Sequence, residues 1–207
     1  MKGSITIAYL QRYLRSKDHN AGHELDYFLK LIEEIGELSK ALSYDIVHAE
    51  GENFKGTVEE ELWDVMYYTL CLANLYDVDL EKWIRLKEPY NIARYNPDLA
   101  FDPDGPVTVA WLQDYLSKKE RWPGYETYRD FFCKMMEEVG ELAEMIYKGA
   151  PHAQGDHFKG TIEEELWDVL HYLLLTADMC GADLERWIPV KEAYNNARYN
   201  PGVVFGA

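Results

Sequence analysis

Two pairs of acidic side chains stand at helical spacing in the first half of the chain, and the same two pairs return in the second half. Glu34 and Glu37 lie in EEIGEL, and Glu61 and Asp64 lie in EEELWD; their counterparts are Glu138 and Glu141, then Glu165 and Asp168. At i and i+3 on a helix two side chains project from neighbouring points of one face. Two such helices packed antiparallel would bring four carboxylates together. Neither cysteines nor paired histidines accompany them, so the donor set is all oxygen, the environment that suits Mg2+ or Mn2+. The competing reading is a solvated acidic face. Glu34 and Glu37 lie roughly opposite the stripe Leu25, Phe28, Leu29, Ile32, Ile35, Ser39 and Leu42, which fits that reading, although the same face in the second copy carries Phe131 and Met145. Asp64 and Asp168 argue against it. The run after Glu61, LWDVMYYTLCLANLY, is apolar or aromatic on nearly every side and predicts a buried helix. A carboxylate there must be paired, protonated or bound to a cation, because an unpartnered buried charge costs several kcal/mol.

The elements that position these residues follow from the duplication. FKGTVEEELWDVMYY at 54–68 returns as FKGTIEEELWDVLHY at 158–172, and KEPYNIARYNP at 87–97 returns as KEAYNNARYNP at 191–201, both offset by 104 residues. AYLQRYL at 8–14 matches AWLQDYL at 110–116 with an offset of 102, so the second copy gains two residues after its first helix. Proline and glycine in NPDLAFDPDGP mark the junction. This predicts one repeat over 1–97, a linker over 98–106 and a second repeat over 107–207.

Each repeat reads as four helices, an all-α unit. The first covers roughly Thr6–Arg15 and Val107–Lys118, and the second roughly His23–Val47 and Tyr125–Lys148. The third starts at the capping-box signatures Thr57-x-x-Glu60 and Thr161-x-x-Glu164 and runs to about Tyr76 and Cys180. The fourth begins after Asp79 and Asp183 and stops before Pro97 and Pro201. A unit of about 100 residues supports its own core only marginally, so the two repeats are expected to pack on each other as an intrachain pseudo-dimer. Gly36 and Gly140, inside the second helices, point to close helix packing or room for a ligand.

Bulk composition narrows the function. Asp and Glu number 37 against 21 Lys and Arg, a formal net charge of -16, which repels a nucleic-acid polymer. A small phosphorylated ligand stays possible, because a bound cation turns acidic residues into an anion site. No run of about 18 apolar residues predicts a membrane span, and the N-terminal residues lack a secretory pattern. Cys71, Cys133 and Cys180 occupy unmatched positions and read as buried free thiols of a cytoplasmic protein.

E-E-x-G-E-L followed by E-L-W-D, with K-x-x-x-N-x-x-R-Y downstream, resembles the signature of the MazG-like all-α nucleoside triphosphate pyrophosphohydrolases. The resemblance holds twice and covers nearly the whole chain. It implies Mg2+-dependent hydrolysis of a (d)NTP to a (d)NMP and pyrophosphate, in house-cleaning of nucleotide pools. It also implies that Glu34, Glu37, Glu61 and Asp64, and Glu138, Glu141, Glu165 and Asp168, are metal ligands. Glu33 and Glu137 would orient water; Glu60 and Glu164 suit salt bridging or helix capping better. Lys87, Asn91, Arg94 and Tyr95, with Lys191, Asn195, Arg198 and Tyr199, would meet phosphate oxygens, Lys55 and Lys159 being weaker candidates. Related proteins build their sites from more than one subunit, which implies further dimerisation of the tandem chain.

Recognition of the base is less legible. Tyr9, Trp111 and Trp122 are aromatic candidates near the first two helices, with core packing as the plainer role. His48 and His152 are matched loop histidines. Asp168-x-x-His171 hints at a di-iron helix, but Tyr67 stands at that place in the first copy and two Glu-x-x-His helices are lacking. Besides a pyrophosphohydrolase, the residues admit a non-catalytic nucleotide or metal sensor, or a carboxylate-bridged redox bundle.

Overall fold

The computed structural model describes residues 5–43, 46–51, 53–95, 98, 100–101, 105–119, 127–199 and 202–206. Among these the chain forms α1 (Ile7–Lys17), α2 (Glu24–Ser43), α3 (Val58–Leu75), α4 (Leu80–Tyr95), α5 (Val109–Lys119), α6 (Tyr128–Tyr147), α7 (Ile162–Met179) and α8 (Leu184–Tyr199). Strand structure among the described residues is limited to isolated bridges. The all-α class and the four-plus-four order agree with the sequence reading. The second helix is shorter than expected: α2 ends at Ser43, and the Val47 carbonyl already accepts the Val58 N–H at 3.2 Å. Pro97, Pro201, Trp122 and the Tyr125 start expected for α6 lie outside the described residues.

α3 and α7 form the centre. They pack on each other, and each also packs on the first two helices of its own repeat. Nearly every side of α3 is buried, with Trp63, Leu62, Met66 and Leu70 wholly so, and α7 matches it with Trp167, Leu166, Leu170 and Leu174. This is the outcome expected for a helix without a polar stripe. α2 runs antiparallel to α3: Tyr27 meets Tyr68 at 6.1 Å between ring centroids while Glu37 comes together with Glu61.

The buried face of α2 is rotated from the predicted stripe, sharing Ile35 and Leu42 with it. Tyr27, Leu31, Ile35, Leu38 and Leu42 face inward, whereas Leu25, Leu29 and Ile32 are 60%, 58% and 40% exposed. Glu34 is seven residues beyond Tyr27 and four before Leu38, so this rotation carries it from the supposed outer face to the seam with α3. Cys71 and Cys180 are buried as expected, but Cys133 on α6 is exposed.

The repeats join with twofold character. Ile7 N donates to the Val107 carbonyl at 3.0 Å and Val109 N to the Ile5 carbonyl at 2.9 Å. Buried Gln11 clamps the turn before α4, accepting from Leu80 N at 3.0 Å and donating to the Val78 carbonyl at 2.8 Å. Gln113 repeats this with Leu184 N and the Ala182 carbonyl at 3.3 and 3.0 Å. α4 and α8 then cross over. α4 packs on α7 and α8 on α3, each on the central helix of the other repeat.

Candidate metal and phosphate sites

The start of α3 sets its acids in place. Gly56 turns the chain at φ 72°, a conformation that costs L side chains and suits glycine. Thr57 Oγ1 accepts from Glu60 N at 3.4 Å, and the Glu60 carboxylate reaches back to Gly56 N at 2.7 Å. This is one residue beyond a capping box, whose acid would take Thr57 N. Glu164 takes Gly160 N in the same way at 2.7 Å, and Thr161 makes no side-chain cap bond. Glu59 and Glu163, though buried, are spoken for by His48 Nδ1 at 2.7 Å and His152 Nδ1 at 2.8 Å. That is where the two loop histidines are engaged.

Glu34, Glu37 and Glu61 offer oxygens that all lie within 4.8 Å of one another, and Glu138, Glu141 and Glu165 do the same. Burial, then repulsion from neighbouring carboxylates, pushes Glu34 and Glu138 up to about 7. The same causes push Glu61 and Glu165 to about 8. One oxygen each of Glu61 and Glu165 is buried with no hydrogen-bond partner. Crowded oxygens that repel one another, with a buried lone pair to spare, fit a divalent cation.

Asp64 and Asp168 border these clusters but are held differently. The Lys191 ammonium pairs with Asp64 and, at 2.8 Å, with Glu60. Lys87 pairs with Asp168 and, at 3.1 Å, with Glu164. Each expected quartet is thus a carboxylate triad plus an aspartate bonded to a lysine of the other repeat. Burial still raises Asp64 above the ordinary aspartate value, with Lys191 pulling the other way.

The residue after each lysine explains why the lysine arrives there. Glu192 is wholly buried and accepts from Trp63 Nε1 at 3.0 Å, Tyr13 Oη at 2.5 Å and Lys17 Nζ at 2.6 Å, all in the first repeat. Glu88 accepts from Trp167 Nε1 at 3.2 Å, Tyr115 Oη at 2.8 Å and Lys119 Nζ at 2.9 Å, all in the second. Burial alone would raise Glu88, but Lys119 and its other partners hold it below the ordinary value. Tyr90 packs edge-on against Phe158 at 5.4 Å, in the manner of Tyr194 against Phe54 at 5.1 Å.

The second-repeat triad opens on a cavity of about 730 Å³ lined also by Lys87, Asn91 and Tyr95 of α4, Lys159, and the rings of Phe131, His171 and Tyr172. The first-repeat triad opens on one of about 760 Å³ lined by Lys55, Glu33, Lys40 and Val47 among others; Asn195 and Tyr199 are not in its lining. Lys55 and Lys159 pair with Glu60 and Glu164.

Other expected site residues lie outside the triads, Glu33 at the edge of the first-repeat cavity. Glu33 and Glu137 are exposed, each held by the lysine one turn earlier, Lys30 and Lys134, at 2.6 Å. The structure does not bring them into the triads. Arg94 and Arg198 point to solvent and donate to Tyr90 Oη at 3.2 Å and Tyr194 Oη at 2.9 Å, outside both linings. The one donor face drawn from Lys to Arg therefore splits: a charged end reaches the acids through Lys87, and the arginine folds back along its own helix. Trp111 stacks on Tyr115 at 5.1 Å and Tyr9 meets Phe205 at 5.4 Å, both in aromatic packing. Glu88 and Glu192 were missed by sequence reasoning, although the Lys-Glu doublet in both copies was a visible signal; Phe131 was noted only on the acidic face and His171 only as a hint of a di-iron helix, not as cavity residues.

Residues 23–88 and 126–196 each match the model of the MazG nucleotide pyrophosphohydrolase domain. Over 106 residues the chain is 34% identical to dCTP pyrophosphatase 1 of Rattus norvegicus and 35% identical to that of Homo sapiens, covering 48% of this chain in each case. The match spans 62% of the length of these two relatives. Among solved structures, iMazG from Vibrio DAT 722 is 40% identical, with a TM-score of 0.42, over 44% of this chain and 99% of its own.

Proposed function

This chain belongs to the MazG nucleotide pyrophosphohydrolase domain family, and from that premise we propose that it hydrolyses a nucleoside triphosphate between the α and β phosphates. Water is consumed and a nucleoside monophosphate and pyrophosphate are released, a reaction suited to clearing unwanted nucleotides. Glu138, Glu141 and Glu165, and likewise Glu34, Glu37 and Glu61, would hold Mg2+ or Mn2+. The observation that carries this reading is the meeting of a carboxylate triad with a lysine from the other repeat. Such a cation supplies neutralisation of triphosphate charge and Lewis-acid polarisation of the attacked phosphoryl group.

The chain's own residues supply the rest. Lys87 is held at 4% exposure between two acids, positioned to exchange one of them for a phosphate oxygen. Asn91 and Tyr95 follow at four-residue intervals on the same helical face and line the same cavity, offering neutral donors to the outer phosphates. Catalysis of this kind is mostly positioning and electrostatics. The deoxycytidine triphosphate named for the mammalian relatives heads the substrate panel.

Pyrophosphate release from a panel of ribo- and deoxynucleoside triphosphates, with Mg2+ and after chelation, tests the proposal. Turnover that needs the cation and vanishes in the combined Glu37→Gln and Glu141→Gln variant is expected. Nucleotide binding with no pyrophosphate release by the unsubstituted chain would identify a sensor instead.

A further inference from the structure

Consecutive residues of α3 meet consecutive residues of α8. Trp63 Nε1 donates to Glu192 at 3.0 Å, and Asp64, the next residue, takes the Lys191 ammonium. The second repeat copies this register against α4: Trp167 Nε1 donates to Glu88 at 3.2 Å, and Asp168 takes Lys87. Two bonds between neighbouring residues fix at once the rotation of one helix and its axial place against the other. The two bonds of each doublet differ in what surrounds them. Asp64 lines the first-repeat cavity, and Lys87 and Asp168 line the second. Glu192, Glu88 and both tryptophans are 0% exposed and line neither cavity.

The glutamate half of the first doublet is closed on every side. Besides the indole, Glu192 takes Tyr13 Oη at 2.5 Å and Lys17 Nζ at 2.6 Å. Asn196 Nδ2 donates in turn to Tyr13 Oη at 2.7 Å, and the Lys17 ammonium lies 5.6 Å from the Tyr13 ring centroid. Moving this carboxylate would leave an ammonium, a phenol and an indole N–H buried without their acceptor. The aspartate half is the exchangeable one. The Asp64 side chain is 21% exposed where that of Glu192 is 0%, and Asp64 is bonded to a single flexible ammonium whose three N–H groups a phosphate oxygen also accepts.

We propose that Glu192 and Glu88 are positioning residues of the reaction and not of the fold alone. Each is anchored by the tryptophan that precedes the site aspartate, and each fixes the lysine that precedes itself. The lysine thus passes from Asp64 or Asp168 to a phosphate oxygen without its helix moving. Glu192 serves the first-repeat site through Lys191, and Glu88 serves the second through Lys87; neither glutamate touches substrate. This rests on the nucleotide chemistry proposed above and adds the groups that hold its lysines in register.

Glu192→Asp keeps the charge and withdraws the carboxylate by one methylene. With the second site silenced by Glu141→Gln, it should raise KM for a nucleoside triphosphate about tenfold, since a misplacement of about 1 Å costs up to about 100-fold. The same substitution with the first site silenced by Glu37→Gln should change KM less than about twofold, as expected for independent sites. A double-mutant cycle with Lys191→Ala then separates positioning from folding. In the lysine-free chain Glu192→Asp should cost no further kcat/KM, because a residue that acts through another is not additive with it. Trp63→Phe, which leaves Glu192 its bonds to Tyr13 and Lys17, reads the same cycle if Glu192→Asp loses cooperative unfolding. Glu88→Asp with Lys87→Ala is the matching cycle for the second site, and it decides the matter where that site alone turns over. Multiplying losses from glutamate and lysine, or equal KM changes at both sites, would overturn the proposal and leave the pyrophosphohydrolase reading intact. Absence of turnover by the unsubstituted chain on every nucleotide would overturn both.

Discussion

The glutamate that locks α8 onto the first repeat and the one that locks α4 onto the second have partners matched one for one. Glu192 takes a tryptophan, a tyrosine and a lysine, and so does Glu88. The residues beside the two triads are less alike: Tyr27 and Tyr67 both donate to Asp18 in the first repeat, and Phe131 and His171 stand at the equivalent positions in the second. The contrast teaches that the joint and the surroundings of the triads vary separately. Both halves keep the joint, since each joint holds the other half's lysine in place, whereas the positions beside the triads differ.

The largest effects should come from the joints and should be equal. Glu88→Ala and Glu192→Ala each leave an indole N–H, a phenol and an ammonium buried without their acceptor, at a cost of about 3–5 kcal/mol. Urea unfolding measures both, and a gap wider than about 2 kcal/mol between them would break the equivalence. Next come the lysines. Lys87→Ala should lower kcat/KM on the order of 100-fold at the second site, because it removes the cation that meets phosphate beside that triad. Lys191→Ala should do the same at the first site, and equal losses in steady-state assays would show both sites turning over.

The triads give a pH prediction that applies to both sites. Glu34 and Glu138 sit at about 7, and Glu61 and Glu165 at about 8, all above the ordinary glutamate value. The folded, metal-free chain therefore binds more protons than the unfolded one between the ordinary value and about 8. Its stability is fully present below that window and is lost as pH rises through the folded values. Thermal melts in chelator should fall from pH 5 to pH 8.5, and Mg2+ should restore the loss at the alkaline end; a flat profile would count against clustered, unneutralised acids. Smallest of all, Glu33→Gln and Glu137→Gln should change turnover by less than about threefold, since exposed pairs with Lys30 and Lys134 carry little energy. A hundredfold loss from either would return the water-orienting role to them.

Periodicity and capping residues sufficed for the eight helices of the described residues, because those signals are local: Thr57 and Thr161 mark where α3 and α7 begin. The duplicated acids were equally visible, and the apolar neighbours of Asp64 and Asp168 announced that they would be at least half-buried. Three things were not legible. The stripe Leu25, Leu29 and Ile32 has helical period but faces water, because period alone does not say which flank meets the partner. Lys191 reaching Asp64 joins residues 127 apart, a pairing set by the crossover of α4 and α8 and without local trace. Arg94 shares the helical face of Lys87 by spacing, yet its long side chain finds the Tyr90 hydroxyl first.

The crossover also bears on how the chain is made. Trp63 leaves the ribosome well before its indole acceptor, Glu192, which lies 129 residues later. Tyr13 waits still longer, for a partner 179 residues downstream. A half-synthesised chain consequently has its first acidic cluster but not its lysine, and its central tryptophan lacks an acceptor. Contacts of such long span are slow to form, and exposed intermediates of this kind invite association with neighbouring chains. The nascent first repeat is thus a half-joint that the second repeat, tethered to it, completes before a stranger can.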